Sequence, residues 1–356
     1  MLRGNKGEWS EIYALFSILS EGKLVAADAN LNAFADGASL TVLRVLRKEK
    51  DQPLISFYVN DPIEVTTDEG ERIASVSRER MAQEARTLFY GIVDLPHGSA
   101  TFELPETEEF MRSIGVHALK APSSDKSDIV LQIHDSHSGI DPVCGWSIKS
   151  ELGNPPTLLN AGKTTNFTFE IIGCTDDLMD SVNSIDTRFK VRDRLAKLES
   201  RCRLKFSETV NKVFDRNMRL IDSLFPQLMG HALLEYYAGR GPSCRQIVNN
   251  LEMADPLRLG AGMYEFKFKK FLCSVALGMM PATAWSGRED ATGGYIIVRS
   301  DGEVLAFHVY NRDSFEDYLL ESTRFDTASM TRHDFGYVYK SEGRYYIDLN
   351  LQVRFK

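Results

Sequence analysis

SDIVLQIHD, residues 127–135, and VCGWSIKSEL, residues 143–152, flank the turn-rich stretch SHSGIDP. The two flanks carry β-branched and aromatic residues and read as paired strands around a turn. Asp128 opens the first strand. Ser147, Lys149 and Glu151 occupy alternate positions of the second, so their side chains share one face. An aspartate on one strand facing an x-x-Lys on its neighbour is the layout of metal-dependent phosphodiester hydrolysis. A carboxylate, helped by a main-chain carbonyl, holds a hard Mg²⁺ ion through oxygens. The metal and a lysine then help generate hydroxide and offset charge growing on the phosphate. The pattern is short, and the competing reading is a surface hairpin with solvated charges.

Position 147, where an acidic residue would complete the pattern, is serine. The second carboxylate therefore comes from elsewhere, or Asp128 binds metal alone. Glu8 is the first candidate, because helical spacing places it on an apolar stripe with Leu15 and Leu19, where a buried charge needs a partner. Glu11 lies further round and ranks below it. Glu151 is on the right strand face but roughly 6.5–7 Å beyond Lys149. The expected metal ligands are thus Asp128 and Glu8. His134 and His137 flank the hairpin turn and read as turn residues more readily than as a metal pair.

The chain has 356 residues, 43% hydrophobic and 26% charged, the composition of an ordinary globular protein of one large domain or two modest ones. No apolar run is long enough for a membrane span. The opening MLRGNKGEWSEIY meets two glutamates before any apolar run, unlike a signal peptide. A cytoplasmic protein is expected. The five cysteines are scattered without a CxxC pair, which favours reduced, packed thiols. Nucleotide-binding glycine motifs, GxSxG and HExxH are absent.

The net charge of −8 is concentrated in residues 61–109, which hold twelve acids and four bases, whereas residues 187–219 hold eleven Lys/Arg against four acids. The second segment reads either as an anion-binding face or as a solvated helix surface.

Spacing predicts a helix over about 7–20, strands at 38–46 and 54–59, a helix at 77–92 and a strand at 165–173. It predicts helices over 187–199, 208–238 with Pro226 kinking or breaking it, and 263–280. Hairpins at 293–310 and 335–355 close the chain around SDGE and SEGR. The expected fold is α/β, a mixed central sheet with flanking helices. A division near 175–185 would separate a catalytic core, 1–180, from a helical and β-hairpin DNA-binding region, 181–356; one domain is the alternative.

After the candidate catalytic strand, GNPPTLLNAGKTTNF offers Asn160, Lys163, Thr164 and Asn166 as donors to a phosphate backbone. Arg192, Arg201 and Arg203 lie in the basic segment. Arg332, His333 and Asp334 form a cluster whose arginine and aspartate suit guanine and cytosine edges in the major groove.

Three long blocks resemble the HpaII type of type II restriction endonuclease: GNKGEWSEIYALFSILSEGKLVAADANLN near the start, SDI and GWSIKSELGNPPTLLNAGKTTNF in the centre, and RHDFGYVYKSEGRYYIDLNLQVRF at the end. The resemblance implies Mg²⁺-dependent double-strand cleavage of DNA within CCGG, in a bacterial restriction–modification system. It also implies a PD-(D/E)xK restriction-endonuclease-like core in which Asp128 and Lys149 carry over. Ser147 departs from that pattern, as does Ser127 where proline often stands. A palindromic site would suit a homodimer. The alternatives are a DNA-binding protein of the same fold that has lost cleavage, and an interaction protein with no salt-dependent DNA affinity.

Overall fold

A computed structural model describes residues 1–95, 101–120, 127–135 and 139–356. The architecture is mixed α/β, with a central sheet and flanking helices. Contacts divide the chain into two compact units: Met1–Pro156 with Glu289–Tyr318, and Thr157–Arg288 with Leu319–Lys356. The chain thus crosses over at 156/157, and a later stretch returns to the first unit.

The first helix of unit 1 spans Lys6–Glu21. The Asn5 side chain accepts the Glu8 N–H at 3.1 Å, and Glu8 Oε2 accepts the Asn5 N–H at 2.7 Å. This reciprocal capping box fixes the helix start. Gly22, left-handed at φ 66, ends it. Trp9, Ile12, Phe16 and Leu19 are buried as their spacing requires, but so are Ser10, Tyr13, Ala14, Leu15 and Ile18. A helix buried nearly all round is a core element and not a surface one. It packs with the helix Arg78–Val93 and with the strand Val143–Ser150, where Ser150 Oγ donates to Ser10 Oγ at 2.8 Å.

Among the described residues the sheet of unit 1 has nine strands. Lys23–Ala26, Val304–His308, Gly294–Val298, Val143–Ser150, Ile129–His134 and Ser39–Lys48 pair in that order, and the last pairs back to the first, closing a barrel. Leu54–Tyr58, Ile63–Thr67 and Arg72–Val76 extend it from Ser39–Lys48. Val143–Ser150 runs parallel to Gly294–Val298 and antiparallel to Ile129–His134. The expected hairpins at 127–152 and 293–310 are therefore neighbours in one sheet.

Unit 2 holds a four-stranded antiparallel sheet and a three-stranded one, with helices including Lys190–Glu199, Lys212–Ile221, Phe225–Tyr237 and Met263–Ala276. The helix expected over 208–238 is broken up. Residues up to Thr209 belong to the strand Arg203–Thr209, which pairs with Asn166–Ile172. Asn211 caps the next helix by accepting the Phe214 N–H at 2.9 Å. Pro226 sits in the first turn of the following helix, where its missing N–H costs nothing. It therefore starts a helix and does not kink one. The helix expected over 187–199 begins at Lys190.

All five cysteines are free thiols. Among the described residues no helix is long and apolar enough to cross a membrane.

Candidate active site

Ile129 pairs with Trp146 across the antiparallel hairpin, so Asp128 lies opposite Ser147, with Lys149 two residues further along the same face. The Asp128 N–H donates to the Trp146 carbonyl at 2.8 Å. Its Oδ2 accepts the Ile148 N–H at 2.6 Å and the Ser147 hydroxyl at 3.1 Å. Ser147 is buried and fixes the carboxylate that follows Ser127. A Cβ on Gly145 would stand 2.7 Å from the Ser127 Cβ, so the glycine lets the chain entering Asp128 lie close against the neighbouring strand.

Lys149 lines a cleft of about 460 Å³ together with Glu8, Glu11 and Lys120. Asp128 opens onto a smaller cavity of about 260 Å³, beside Arg47. Glu11 feels both sets of charges. Burial pushes its carboxyl up to about 8, and the Asp128 charge adds to the rise. Lys120, Lys149 and Arg47 pull the other way. Carboxylate oxygens with cations nearby are the donor chemistry that a hard divalent ion takes.

Glu8 is differently occupied. Its Oε2 closes the helix cap, and its Oε1 pairs with Lys120 Nζ at 2.9 Å. Partial burial acts against ionisation, but the Lys120 hydrogen bond, the Asn5 N–H and the Lys120 charge hold Glu8 below its ordinary value. Glu8 does stand at the cleft, as its place on the apolar stripe requires, yet Glu11 is the carboxylate that senses Asp128 and Lys149. The pattern Asn5-x-x-Glu8 is itself a capping signature, readable in the sequence. Glu151 lies outside the cleft, its Oε2 accepting the Ser300 N–H at 3.3 Å.

The surrounding cations have a buried scaffold. Arg47 and Glu49 pair at 2.6 Å, with side chains 8% and 3% exposed. Arg47 donates to the Ala118 carbonyl, and Glu49 accepts the His117 N–H at 2.9 Å. This network anchors the segment that carries Lys120. Tyr295 is the Cα partner of Ser147 on the next strand, and its buried hydroxyl has no partner among the described residues. Neither feature has a signal in the sequence.

His134 Nδ1 pairs with Asp141 at 2.7 Å; His137 lies outside the described residues. Among the described residues, no cluster of three or more His, Cys, Asp or Glu could hold a metal ion.

The DNA-facing candidates lie in unit 2. Lys163 pairs with Asp334 at 3.1 Å, with both side chains largely exposed. Asn166 Nδ2 donates to the His333 and Asp334 carbonyls at 2.8 and 3.3 Å, and its Oδ1 accepts from Asn350. Asn166 is buried with both amide ends engaged, so it supports the 333–334 main chain and is not open to DNA. Asn160 and Arg332 are exposed, and Thr164 and His333 are half-buried.

The basic segment is mixed. Arg194 is 2% exposed and donates to the carbonyls of Gly336, Asn183 and Ile185. Lys190, Lys212 and Arg219 pair with acids four residues away. Arg192 pairs with Asp193 at 3.1 Å. Arg201, Arg203 and Lys205 are exposed.

Residues 5–355 match the family model described as HpaII restriction endonuclease. The chain is 38% identical over 359 residues to the type II restriction enzyme HpaII of Haemophilus parainfluenzae, covering 99% of this chain and 98% of that protein. No solved structure matches.

Proposed function

Since the chain belongs to the HpaII restriction endonuclease family, it is a type II site-specific deoxyribonuclease, and we propose that it cuts both DNA strands within CCGG using Mg²⁺. Enzymes of this type generally use a divalent metal. The observation that carries the reading of the site is the Glu11 carboxyl, half-buried in the cleft that Lys149 also lines and within reach of the charges of Asp128 and Lys149. We read this as a PD-(D/E)xK-like core in which a helix carboxylate does the work of the acidic residue absent at 147.

Asp128 and Glu11 would hold the cation. When bound, it offsets negative charge building on the phosphate and eases deprotonation of water. Ser147 and the Ile148 N–H keep the Asp128 carboxylate in one orientation. Lys149 donates hydrogen bonds to the water or to a phosphate oxygen and places a positive charge beside the developing one. Lys120 keeps Glu8 ionised at the cleft rim.

Unit 1 is then the catalytic unit, and unit 2 reads DNA through Arg332, His333 and Asp334. A palindromic site fits a two-fold dimer, acting in the bacterial cytoplasm. A duplex carrying one CCGG should be cut on both strands with Mg²⁺ and remain intact in EDTA. Cutting in EDTA, or nicking of one strand only, would contradict the proposal.

The exposed bases make a separate prediction. Replacing Arg192, Arg201 and Arg203 by alanine should weaken binding to all sequences alike. The salt dependence should flatten by about one in log–log slope for each phosphate no longer neutralised. Affinities unchanged across a salt series would leave this segment a solvated face.

A further inference from the structure

The basic segment and the stretch 327–331, far apart in the sequence, meet at a cavity of about 630 Å³ in unit 2. Its lining includes Arg188, Phe189, Arg192, Tyr236, Thr331 and Tyr337. The volume falls in the roughly 300–1,000 Å³ range of sites for single small ligands. Phe189 is 53% exposed, and the guanidinium groups of Arg188 and Arg192 lie 5.3 and 4.6 Å from its ring centroid. Tyr337 is a rigid wall: Arg194, buried and held by three carbonyls, stands 4.1 Å from its ring centroid. Tyr236 is fixed by a 2.8 Å hydrogen bond between its hydroxyl and Thr327. The cavity therefore offers an exposed phenyl ring with two exposed cations lying over it, a second ring at Tyr337 and a hydroxyl at Thr331, next to Arg332.

A phosphate alone would use the arginines and leave the rings without a role. A flat, neutral aromatic with an attached anion uses both. In a duplex, base faces are hidden by stacking, and only a base taken out of the stack can present one to a protein ring. We propose that this cavity receives one unstacked nucleobase of the bound DNA, which takes the place of the exposed Arg188 and Arg192 side chains over the Phe189 ring as they turn to its flanking phosphates. The proposal rests on DNA being the substrate, and it adds a recognition step at a place distinct from the Asp128–Lys149 hairpin.

The test is a thermodynamic cycle between protein and DNA in metal-free buffer, with the full-length chain. Affinity is measured for wild type, Phe189→Ala and Phe189→Trp on a CCGG duplex. The measurements are repeated on duplexes with an abasic residue at each site position and its two flanks. Phe189→Ala should lose at least about fivefold on the intact duplex, the lower end for one base–aromatic stack, and Phe189→Trp should restore binding. At one position the abasic substitution should erase the Phe189→Ala effect. A mismatch there should tighten wild-type binding, because less pairing is broken. The same titrations compare CCGG with a scrambled duplex, and so report the sequence preference separately. Equal Phe189→Ala losses at every abasic position would overturn the proposal. So would coupling without tighter mismatch binding, which would mean a base contacted within the stack. No DNA binding by wild type would overturn this inference and the recognition proposal together.

Discussion

Asp128→Ala and Lys149→Ala will each slow DNA cleavage by at least about a hundredfold, the lower range for losing a catalytic group, while DNA binding persists. Asp128 is fixed by two hydrogen bonds from the opposing strand, and Lys149 stands on the same face two residues beyond Ser147. Removing either leaves the sheet in place, because neither side chain belongs to the apolar core of Trp9, Trp146 and their neighbours. Single-turnover cleavage with saturating enzyme, alongside a gel-shift titration, separates chemistry from binding. Cleavage at the wild-type rate in either variant would remove that residue from the site.

Glu11→Gln will lose cleavage to a similar degree and yet make the metal-free protein more stable at neutral and alkaline pH. Burial raises the folded-state value of Glu11 from an ordinary 4.5 to about 8. A group raised in this way contributes stability that is fully present below 4.5 and is lost as pH rises through 8. At about 1.4 kcal/mol for each tenfold change in proton affinity, the effect is on the order of a few kcal/mol at pH 8, reduced by whatever water reaches the cleft. Glutamine carries no such penalty, so the Tm difference in EDTA should grow from pH 4.5 to 8 in favour of the variant. Glu8→Gln should behave oppositely. It keeps most of the activity and loses about 1 kcal/mol with the weakened cap and the Lys120 pair. If Glu8→Gln abolishes cleavage and Glu11→Gln does not, the assignment is reversed. If only Glu151→Gln loses activity, neither helix carboxylate is the ligand.

The hairpin was legible because alternation is a local signal: Ser147 and Lys149 must share a face, and a turn of SHSGIDP chemistry must join its strands. The first helix was legible for the same reason. That both of its glutamates, Glu8 and Glu11, line the cleft was less so, because the 3.6-residue period discriminates poorly in a helix buried nearly all round. The strands Ile63–Thr67 and Arg72–Val76 are only five residues each, too short for their alternation to stand out. Closure of the barrel depends on Lys23–Ala26 meeting Val304–His308, a pairing across most of the chain that no local propensity encodes. The Lys163–Asp334 pair spans 171 residues and joins two segments that each read alone as loops. Asn166 had the residue type of a DNA donor, but only its burial against Asn350 and the 333–334 carbonyls shows that its hydrogen bonds are already made.

Digestion of a DNA of known sequence in Mg²⁺, followed by mapping of every fragment end, tests the central claim most directly. Discrete fragments whose ends all fall within CCGG, on both strands, are the predicted result. Intact DNA, or ends that fall at other sequences, would contradict it.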